Sequence, residues 1–417
     1  MDRPTACVEQ VLDGADVVLR ASGSLMPAWP EEGREIWRMS SAAVDPANER
    51  LHNTLENLMK CFDSAESWDA GHTERYVGEY VRGAHVYWGQ SDEEPFEQRQ
   101  RREEFGEALR LHAWGRRELH PNDPLRQAVE APIVEFISHR GGQIPLEVLP
   151  LGPKPLRGAP LWDAVLQLPA FASVVSHLLH GTEDASELPE GRALIRQGSV
   201  YEPGGRAFLR SDDAPGWKQM EEHLTGQRSS LAVGPAPDDG LLDSAEKVAE
   251  FLICPQDVHS VEPPVSDIHV FAHGRIGAGF EDRFVIPFHY RPSGFRTRTI
   301  DFAVRALEID DALEFAQQRS STSARPLIWF NCCTAAGPVG RALLGISTSV
   351  AQGGCGVIAP RTRIPCVFAV VLASAFYEYL GRHPVPAEAL LAARLEKLGG
   401  PTHNPLGLLY TGLGRLV

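Results

Sequence analysis

Apolar residues recur in the first part of the chain with the period of an α-helix. The residues of this stripe are Leu51, Leu55, Leu58, Met59 and Phe62. Their spacing places them on one face of a helix. The charged stretch "SDEEPFEQRQRREEFGEALRLHAWGRREL" follows and predicts a second amphipathic helix with a solvated face. We therefore expect residues 1–124 to form a mainly helical N-terminal domain.

The breaker cluster "HPNDP" at residues 120–124 separates this region from a different pattern. From residue 125 to residue 417, short apolar runs that are typical of buried strands alternate with helical patterns. The clearest strand runs are "APIVEFIS", "SDIHVFAHG", "RPLIWFNCC" and "GVIAP". Alternation of this kind predicts an α/β fold, with a mostly parallel sheet flanked by helices.

Several local signals refine this α/β prediction. "RFVIPFHYRPSGFRTRTIDF" indicates two strands joined by a turn at Pro292–Gly294. Asp243 or Ser244 is suited to cap the helix that follows. The stretch "CVFAVVLASAFYEYLG" predicts a long buried helix that ends at Gly381.

Composition narrows the classes of function. The chain has 417 residues and a formal net charge of −15, so nucleic acid is not expected as a partner, because phosphate binding needs a basic surface. Charges interrupt the N-terminus where a signal peptide needs an apolar core. No apolar run is long enough to span a bilayer. We expect a cytoplasmic protein with no membrane association.

Cysteine usage points to free thiols, because the chain has 7 cysteines and no signal peptide is predicted. There is neither a C-x-x-C pair nor an H-E-x-x-H motif, so we expect no metal and no cofactor. Five cysteines are expected to be buried and structural: Cys7, Cys61, Cys254, Cys355 and Cys366. The adjacent pair Cys332–Cys333 is different, because it directly follows a predicted strand.

Two predicted strands end in residues that could cooperate in nucleophilic catalysis. One ends at His273–Gly274 and the other at Cys332–Cys333, and His273 and Cys333 are 60 residues apart. Active groups of parallel α/β sheets gather at the carboxyl ends of the strands. An imidazole can deprotonate a thiol and then protonate the leaving amine. The main-chain amides of Gly274 and Cys333 are candidate donors to the oxyanion.

The sequence from Pro132 to Gly414 resembles the CHAT domain, a bacterial branch of the caspase-like and separase-like (clan CD) cysteine peptidases. Four segments carry the resemblance in order: "QIPLEVLPL", "DIHVFAHG", "PLIWFNCCTAA" and "FYEYLGRHPVPAEALLAARLE". The resemblance implies a caspase-like fold for residues 125–417. It also implies a Cys-His dyad in which His273 is the general base.

The resemblance also addresses the cysteine pair. The family's Leu-Asn/Ser-Ala-Cys pattern, laid on "FNCC", makes Cys333 the nucleophile and puts Cys332 at a position for a small residue. Reading "CCT" as Cys-x-Thr makes Cys332 the alternative nucleophile. His269, Asp267 and Asp282 are candidates for supporting the dyad or for binding a basic substrate side chain.

The implied activity is that of a cysteine endopeptidase in bacterial anti-phage defence or programmed cell death. A protein substrate encoded nearby is implied, such as a gasdermin-like pore former, another protease or a regulator. A sensor protein would activate the enzyme, and residues 1–124 would serve regulation or docking. Two alternatives remain open, namely an inactive caspase-like scaffold that binds proteins and, less favoured, an acyl transferase with the same dyad.

Overall fold

The protein is described from a computed structural model. It covers residues 3–414 and Leu416, apart from several internal segments. Those segments are 64–67, 90–93, 139–143, 180–204, 228–230, 235–241, 256–263, 277–283, 291–299, 319–324, 334, 336–345 and 353–354. The described chain forms two compact units, each considered separately below.

The first unit comprises Met1–Ser199, Ala375–Leu409 and Val417. Its strands are β1 (Thr5–Asp13), β2 (Asp16–Ser22), β3 (Arg34–Ser40), β4 (Ile133–Ser138) and β5 (Val174–Leu179). They lie in the order β3-β2-β1-β4-β5. The β1–β4 and β4–β5 ladders are parallel, whereas β1–β2 and β2–β3 are antiparallel.

Helices pack around these strands. They are α1 (Ser41–Phe62), α2 (Ala70–Ala84), α3 (Phe96–Leu119), α4 (Pro124–Val129), α5 (Leu161–Val165) and α6 (Pro169–Ala172). All five residues of the predicted apolar stripe are buried on α1, so that prediction is confirmed. The predicted charged helix is α3, and the breaker cluster at residues 120–124 separates α3 from α4.

The second unit comprises Val200–Ser374 and Tyr410–Leu416. Its main strands are β6 (Gly205–Arg210), β7 (Leu231–Gly234), β8 (Val265–Phe271), β12 (Leu327–Asn331), β13 (Gly356–Pro360) and β14 (Tyr410–Leu413). They lie in the order β14-β13-β12-β8-β6-β7. The β13–β14 ladder is antiparallel, and the other ladders described in this run are parallel.

The described part of the second unit also contains a small antiparallel sheet and four helices. The sheet contains β9 (Arg275–Ile276), β10 (Phe284–Tyr290) and β11 (Ile300–Arg305). The helices are α7 (Trp217–Gln227), α8 (Ala245–Ile253), α9 (Ala306–Gln318) and α10 (Ile346–Gln352). The predicted pairing of β10 with β11 is confirmed, and the turn predicted at residues 292–294 lies outside the described residues. Ser244 caps α8 by accepting a hydrogen bond from the Lys247 amide.

Two further helices follow in the sequence. Helix α11 (Cys366–Arg382) begins in the second unit and ends in the first, where α12 (Pro386–Gly399) packs against α4 and β5. Gly381 lies inside α11, which continues to Arg382, so the predicted end of that helix was wrong by one residue. The predicted α/β class, a mostly parallel sheet flanked by helices, is confirmed.

Helices make up most of the N-terminal region, as expected, but three strands that were not predicted precede them. Strand β1 was missed because a polar side chain, Gln10, takes one of its buried positions, where it accepts a hydrogen bond from the Ile144 amide. Strand β1 also pairs with β4 across the predicted boundary at residue 124. That boundary stays a prediction.

Candidate active site

Strands β8 and β12 bring the two predicted catalytic positions to neighbouring strand ends. In this parallel ladder Asn331 lies opposite Phe271. His273 is two residues beyond Phe271, and Cys333 is two residues beyond Asn331. Paired strands are about 4.8 Å apart. Because the offsets match, the two chain positions leave the carboxyl edge of the sheet side by side.

The imidazole of His273 is oriented by a main-chain carbonyl. Its Nε2 lies 3.1 Å from the carbonyl oxygen of Asp213, in the loop that follows β6. A carbonyl oxygen only accepts, so Nε2 carries the proton in this contact. The neutral ring then has its lone pair on Nδ1, which is the nitrogen able to act as a base.

The loop that supplies this carbonyl is fixed at both ends. The Ser211 amide donates to the Phe271 carbonyl at 2.9 Å, which joins the loop to the end of β8. The Ser211 hydroxyl donates to the Asp213 carboxylate at 2.5 Å. Gly216 has a φ of +89°, a conformation that favours glycine. The support of His273 therefore depends on the path of this loop.

The two adjacent cysteines have different surroundings. Cys333 is partly exposed, and its Sγ lies 4.0 Å from the Ile364 carbonyl oxygen. Cys332 is fully buried, with its Sγ 3.9 Å from the Val270 carbonyl oxygen. Burial raises the pKa of the Cys332 thiol, which holds it in the protonated form. These surroundings favour Cys333 over Cys332 as the reactive thiol, and the assignment stays a prediction.

Below Cys333, the buried side chain of Asn331 connects several residues. Its Oδ1 accepts hydrogen bonds from the Tyr410 hydroxyl at 2.5 Å and from Trp329 Nε1 at 2.8 Å. Its Nδ2 lies 3.1 Å from His269 Nε2 and 3.3 Å from the Ala369 carbonyl oxygen. Both atoms of the amide are therefore satisfied, and the residue two positions before Cys333 is held on four sides.

This network determines the state of His269. Trp329 Nε1 can only donate, so the oxygen of the Asn331 amide must face it and the nitrogen must face His269. His269 Nε2 is then an acceptor, and the ring carries its proton on Nδ1. Burial, followed by the nearby charges of Arg206 and His223, lowers the pKa of His269 well below its usual value. His269 is a neutral, buried neighbour of the strand end, and its role in supporting the dyad stays a prediction.

Asp267 is also on β8 and is completely buried. It forms an ion pair with Arg206 on β6 and accepts a hydrogen bond from the Ser266 hydroxyl at 3.1 Å. Its carboxylate is therefore not accessible to a substrate side chain. Of the two roles considered for Asp267, only structural support fits this burial.

The remaining predicted residues divide into described and undescribed positions. Gly274 is partly exposed and directly follows His273, between β8 and β9. Asp282, with its neighbour Glu281, lies outside the described residues, so its predicted role in specificity stays a prediction. Cys254 and Cys355 are buried, as expected.

Three cysteines that were expected to be buried are partly exposed instead. These are Cys7, Cys61 and Cys366. Cys366 matters most for the site, because it begins α11 just after Ile364, whose carbonyl is next to Cys333. Its position in an apolar stretch suggested a core residue, but the first turn of α11 is not fully covered.

Sequence reasoning missed two residues that contact the dyad or its support. Asp213 acts through its carbonyl oxygen, which every residue possesses and no motif reveals. Tyr410 is 79 residues from its partner Asn331, and only the pairing of β14 with β13 brings it near. A tyrosine in an apolar C-terminal stretch gives no sign of this contact.

A separate cavity of about 1080 Å³ lies in the first unit. Its lining includes Trp88, Phe96, Arg99, Glu103 and Lys154, and neither His273 nor Cys333 belongs to it. Within the described ranges, no group of three or more His, Cys, Asp or Glu side chains could hold a metal ion. No helix among the described residues is both long and apolar enough to cross a membrane.

Comparisons with known proteins give limited similarity. No protein-family model matches the sequence, and no curated protein matches it. The structure is similar to a chain of the separase–securin complex of Saccharomyces cerevisiae, with a TM-score of 0.39 and 10% sequence identity. The match covers 98% of this chain and 30% of the length of the solved chain. At that TM-score the similarity does not establish a shared fold.

Proposed function

We propose that the protein is a cysteine endopeptidase in which Cys333 is the nucleophile and His273 is the general base. One observation carries this proposal. Phe271 and Asn331 lie opposite each other in neighbouring strands, and His273 and Cys333 each follow two residues later. Both side chains are partly exposed, as groups that must meet a substrate need to be.

The state of His273 supports the same roles. With Nε2–H donated to the Asp213 carbonyl, the lone pair of Nδ1 is available to take the proton of the Cys333 thiol. A free thiol has a pKa of about 8.5, so only a small fraction is thiolate at neutral pH without such help. The carbonyl contact also stabilises the imidazolium once it forms.

The reaction follows from these positions. The Cys333 thiolate attacks the carbonyl carbon of the scissile peptide bond, and the oxygen becomes negatively charged. The amides of Gly274 and Cys333 are the proposed donors to this oxyanion. Protonated His273 gives its proton to the departing amine as the C–N bond breaks, which leaves a thioester on Cys333. Water, deprotonated by His273, then hydrolyses the thioester and regenerates the thiol.

The resemblance of the sequence to CHAT domains extends this proposal to a biological role. It suggests a caspase-like peptidase of bacterial defence or programmed cell death, acting in the cytoplasm on a protein encoded nearby. Residues 1–124 would regulate the enzyme or receive an activating sensor. Asp282 would contribute to the choice of substrate, and His269 would support the dyad through Asn331.

The test is cleavage of a peptide library made from a bacterial proteome, with new N-termini identified by mass spectrometry. The wild-type protein is compared with Cys333→Ala, His273→Ala and Cys332→Ala. We expect new N-termini with the wild type and with Cys332→Ala, and none above background with Cys333→Ala.

Three results would contradict the proposal or part of it. Loss of cleavage only in Cys332→Ala would move the nucleophile by one residue. Unchanged cleavage in both single cysteine variants would exclude the dyad. Absence of cleavage by the wild type, together with specific capture of a protein that is equally well bound by Cys333→Ala, would favour the inactive scaffold.

A further inference from the structure

Cys366 faces the loop that orients His273. It is the first residue of the 17-residue helix α11 and is partly exposed. A β-carbon placed on Gly216 would lie 3.6 Å from the Cβ of Cys366 and 3.6 Å from the Cζ of Phe271. Phe271 is two residues before His273, and Gly216 is three residues after Asp213. The side chain of Cys366 therefore begins next to the support of the dyad.

The end of β12 is linked to α11 on both sides of Cys366. The Cys333 thiol lies 4.0 Å from the carbonyl oxygen of Ile364, two residues before Cys366. The Asn331 amide donates to the carbonyl of Ala369, three residues after it, at 3.3 Å. These two contacts hold the first turn of α11 beside the residue that we assign as nucleophile.

The thiols of Cys333, Cys332 and Cys366 all influence the buried hydroxyl of Tyr410. Burial is the main reason that the pKa of Tyr410 is raised well above its usual value, and the neighbouring Cys333, Cys332 and Cys366 contribute in that order. Cys333 and Cys366 therefore both belong to the surroundings of this hydroxyl. They also share partial exposure, whereas Cys332 is buried.

We propose that Cys333 and Cys366 form a reversible disulfide when the protein meets hydrogen peroxide or another peroxide, and that this bond switches the enzyme off. The inference rests on the proposed function, because the switch acts by removing the nucleophile. Cys332 is the less suitable partner, since its thiol points to the Val270 carbonyl inside the sheet.

The oxidation needs one peroxide molecule and two thiols. The Cys333 thiolate attacks a peroxide oxygen, so an S–O bond forms, the O–O bond breaks and, with a proton, one water leaves. The Cys366 sulfur then attacks the resulting sulfenic acid, so the S–S bond forms, the S–O bond breaks and a second water leaves. The two thiols supply the two electrons that reduce the peroxide.

The test begins with peptide mapping of the full-length protein. Trypsin places the two candidate thiols on different peptides, residues 320–341 and residues 364–382. After brief treatment with hydrogen peroxide and digestion without reductant, we expect a linked pair of these peptides, 2 hydrogens lighter than their sum. Fragmentation between residues 332 and 333 should assign the bond to Cys333. Dithiothreitol should separate the peptides.

Activity then tests the consequence. The wild type should lose cleavage activity in peroxide and regain most of it with dithiothreitol. Cys366→Ser should cleave normally when reduced, but peroxide should inactivate it irreversibly, because the sulfenic acid of Cys333 then oxidises further. Cys61→Ser is the matched control, since Cys61 is also partly exposed, and it should behave like the wild type.

The two proposals fail in different ways. A linked peptide pair in a protein that cleaves nothing would keep the disulfide and reject the peptidase. Cleavage with no linked pair, or with recovery unchanged in Cys366→Ser, would reject the switch and keep the peptidase. A bond that fragmentation assigns to Cys332 would also overturn the switch as proposed.

Discussion

Each unit of the protein carries a histidine beside a potential nucleophile at the carboxyl ends of parallel strands, but only one pair is accessible. In the first unit, the Ser138 hydroxyl and His177 Nε2 are 2.6 Å apart on β4 and β5. Both residues are buried, with exposures of 5% and 0%. In the second unit, Cys333 and His273 lie two residues beyond the ends of β12 and β8, and both are partly exposed.

The difference shows that a short contact between a hydroxyl and an imidazole does not by itself indicate catalysis. The Ser138 hydroxyl and His177 Nε2 satisfy each other within the core, which is what buried polar groups require. His273 instead uses a main-chain carbonyl to hold one nitrogen and leaves the other available. The second pair therefore suits the proposed catalytic role, whereas the first pair suits a structural one.

Replacing each histidine by alanine gives the largest expected effect. His273→Ala should lower kcat/KM by about 10²- to 10⁴-fold, because a positioned general base contributes that much. The free energy of unfolding should change little, since His273 lies at the surface of the site. The rate is measured on a peptide sequence identified in the library, and stability by urea denaturation.

His177→Ala is the matched variant in the other unit. It should lower the free energy of unfolding by about 1–3 kcal/mol, because it leaves a buried partner, Ser138, without its hydrogen bond. Its kcat/KM per folded molecule should equal that of the wild type. The opposite outcome, with catalysis lost in His177→Ala and kept in His273→Ala, would reverse the comparison.

Removal of one hydroxyl from each region should have a smaller effect. Tyr410→Phe and Ser138→Ala each delete a buried hydrogen bond and should each lower the free energy of unfolding by about 1 kcal/mol. Only Tyr410→Phe should also reduce kcat, because Asn331, its partner, is two residues from Cys333. Tyr76→Phe is the control, since its hydroxyl makes no hydrogen bond to the described part of the chain. Equal kcat in Tyr410→Phe and the wild type would show that the hydrogen bonds around Asn331 do not contribute to catalysis.

The smallest expected effect concerns a buried carboxyl on the first unit's sheet. Glu135 lies between Cys7 on β1 and Ser176 on β5, and burial raises its pKa to about 7. The folded protein therefore keeps a proton that the unfolded chain loses above pH 4.5. The contribution of Glu135 to stability falls as the pH rises through this window.

Glu135→Gln removes this dependence. The free energy of unfolding of the variant minus that of the wild type should therefore be larger at pH 8 than at pH 5. The measurement is the urea midpoint of both proteins at the two pH values. A difference between the proteins that is the same at both pH values would show that Glu135 does not titrate as described.

The strands that carry the dyad could be predicted, because β8 and β12 are apolar runs that end at chemically distinctive residues. The proposal that these residues act as a pair came from the rule that active groups gather at strand ends, and it stays a prediction. Strands β1 and β14 could not be predicted in the same way. Gln10 interrupts the apolar pattern of β1, and the four residues of β14 are too few to show a period.

The supporting contacts of the site were beyond prediction for a different reason. Asn331 directly precedes the two cysteines, but two of its four hydrogen bonds depend on Tyr410 and Ala369, which come from distant parts of the chain. The partial exposure of Cys366 depends on how the first turn of α11 is covered. Properties of this kind arise from tertiary packing and leave no local signal.

The backbone carbonyl of Asp213 supports His273, and this determines which substitutions and insertions the loop would tolerate. Replacing the side chains at residues 212 and 215 should leave the imidazole correctly held, because the supporting atom is a main-chain oxygen, whereas replacing Asp213 would also remove the contact of its carboxylate with the Ser211 hydroxyl. An insertion in that loop, or a bulkier residue at Gly216, would shift the carbonyl without touching either member of the dyad. Diverged relatives would thus be recognised by the conserved length of this loop, not by its composition.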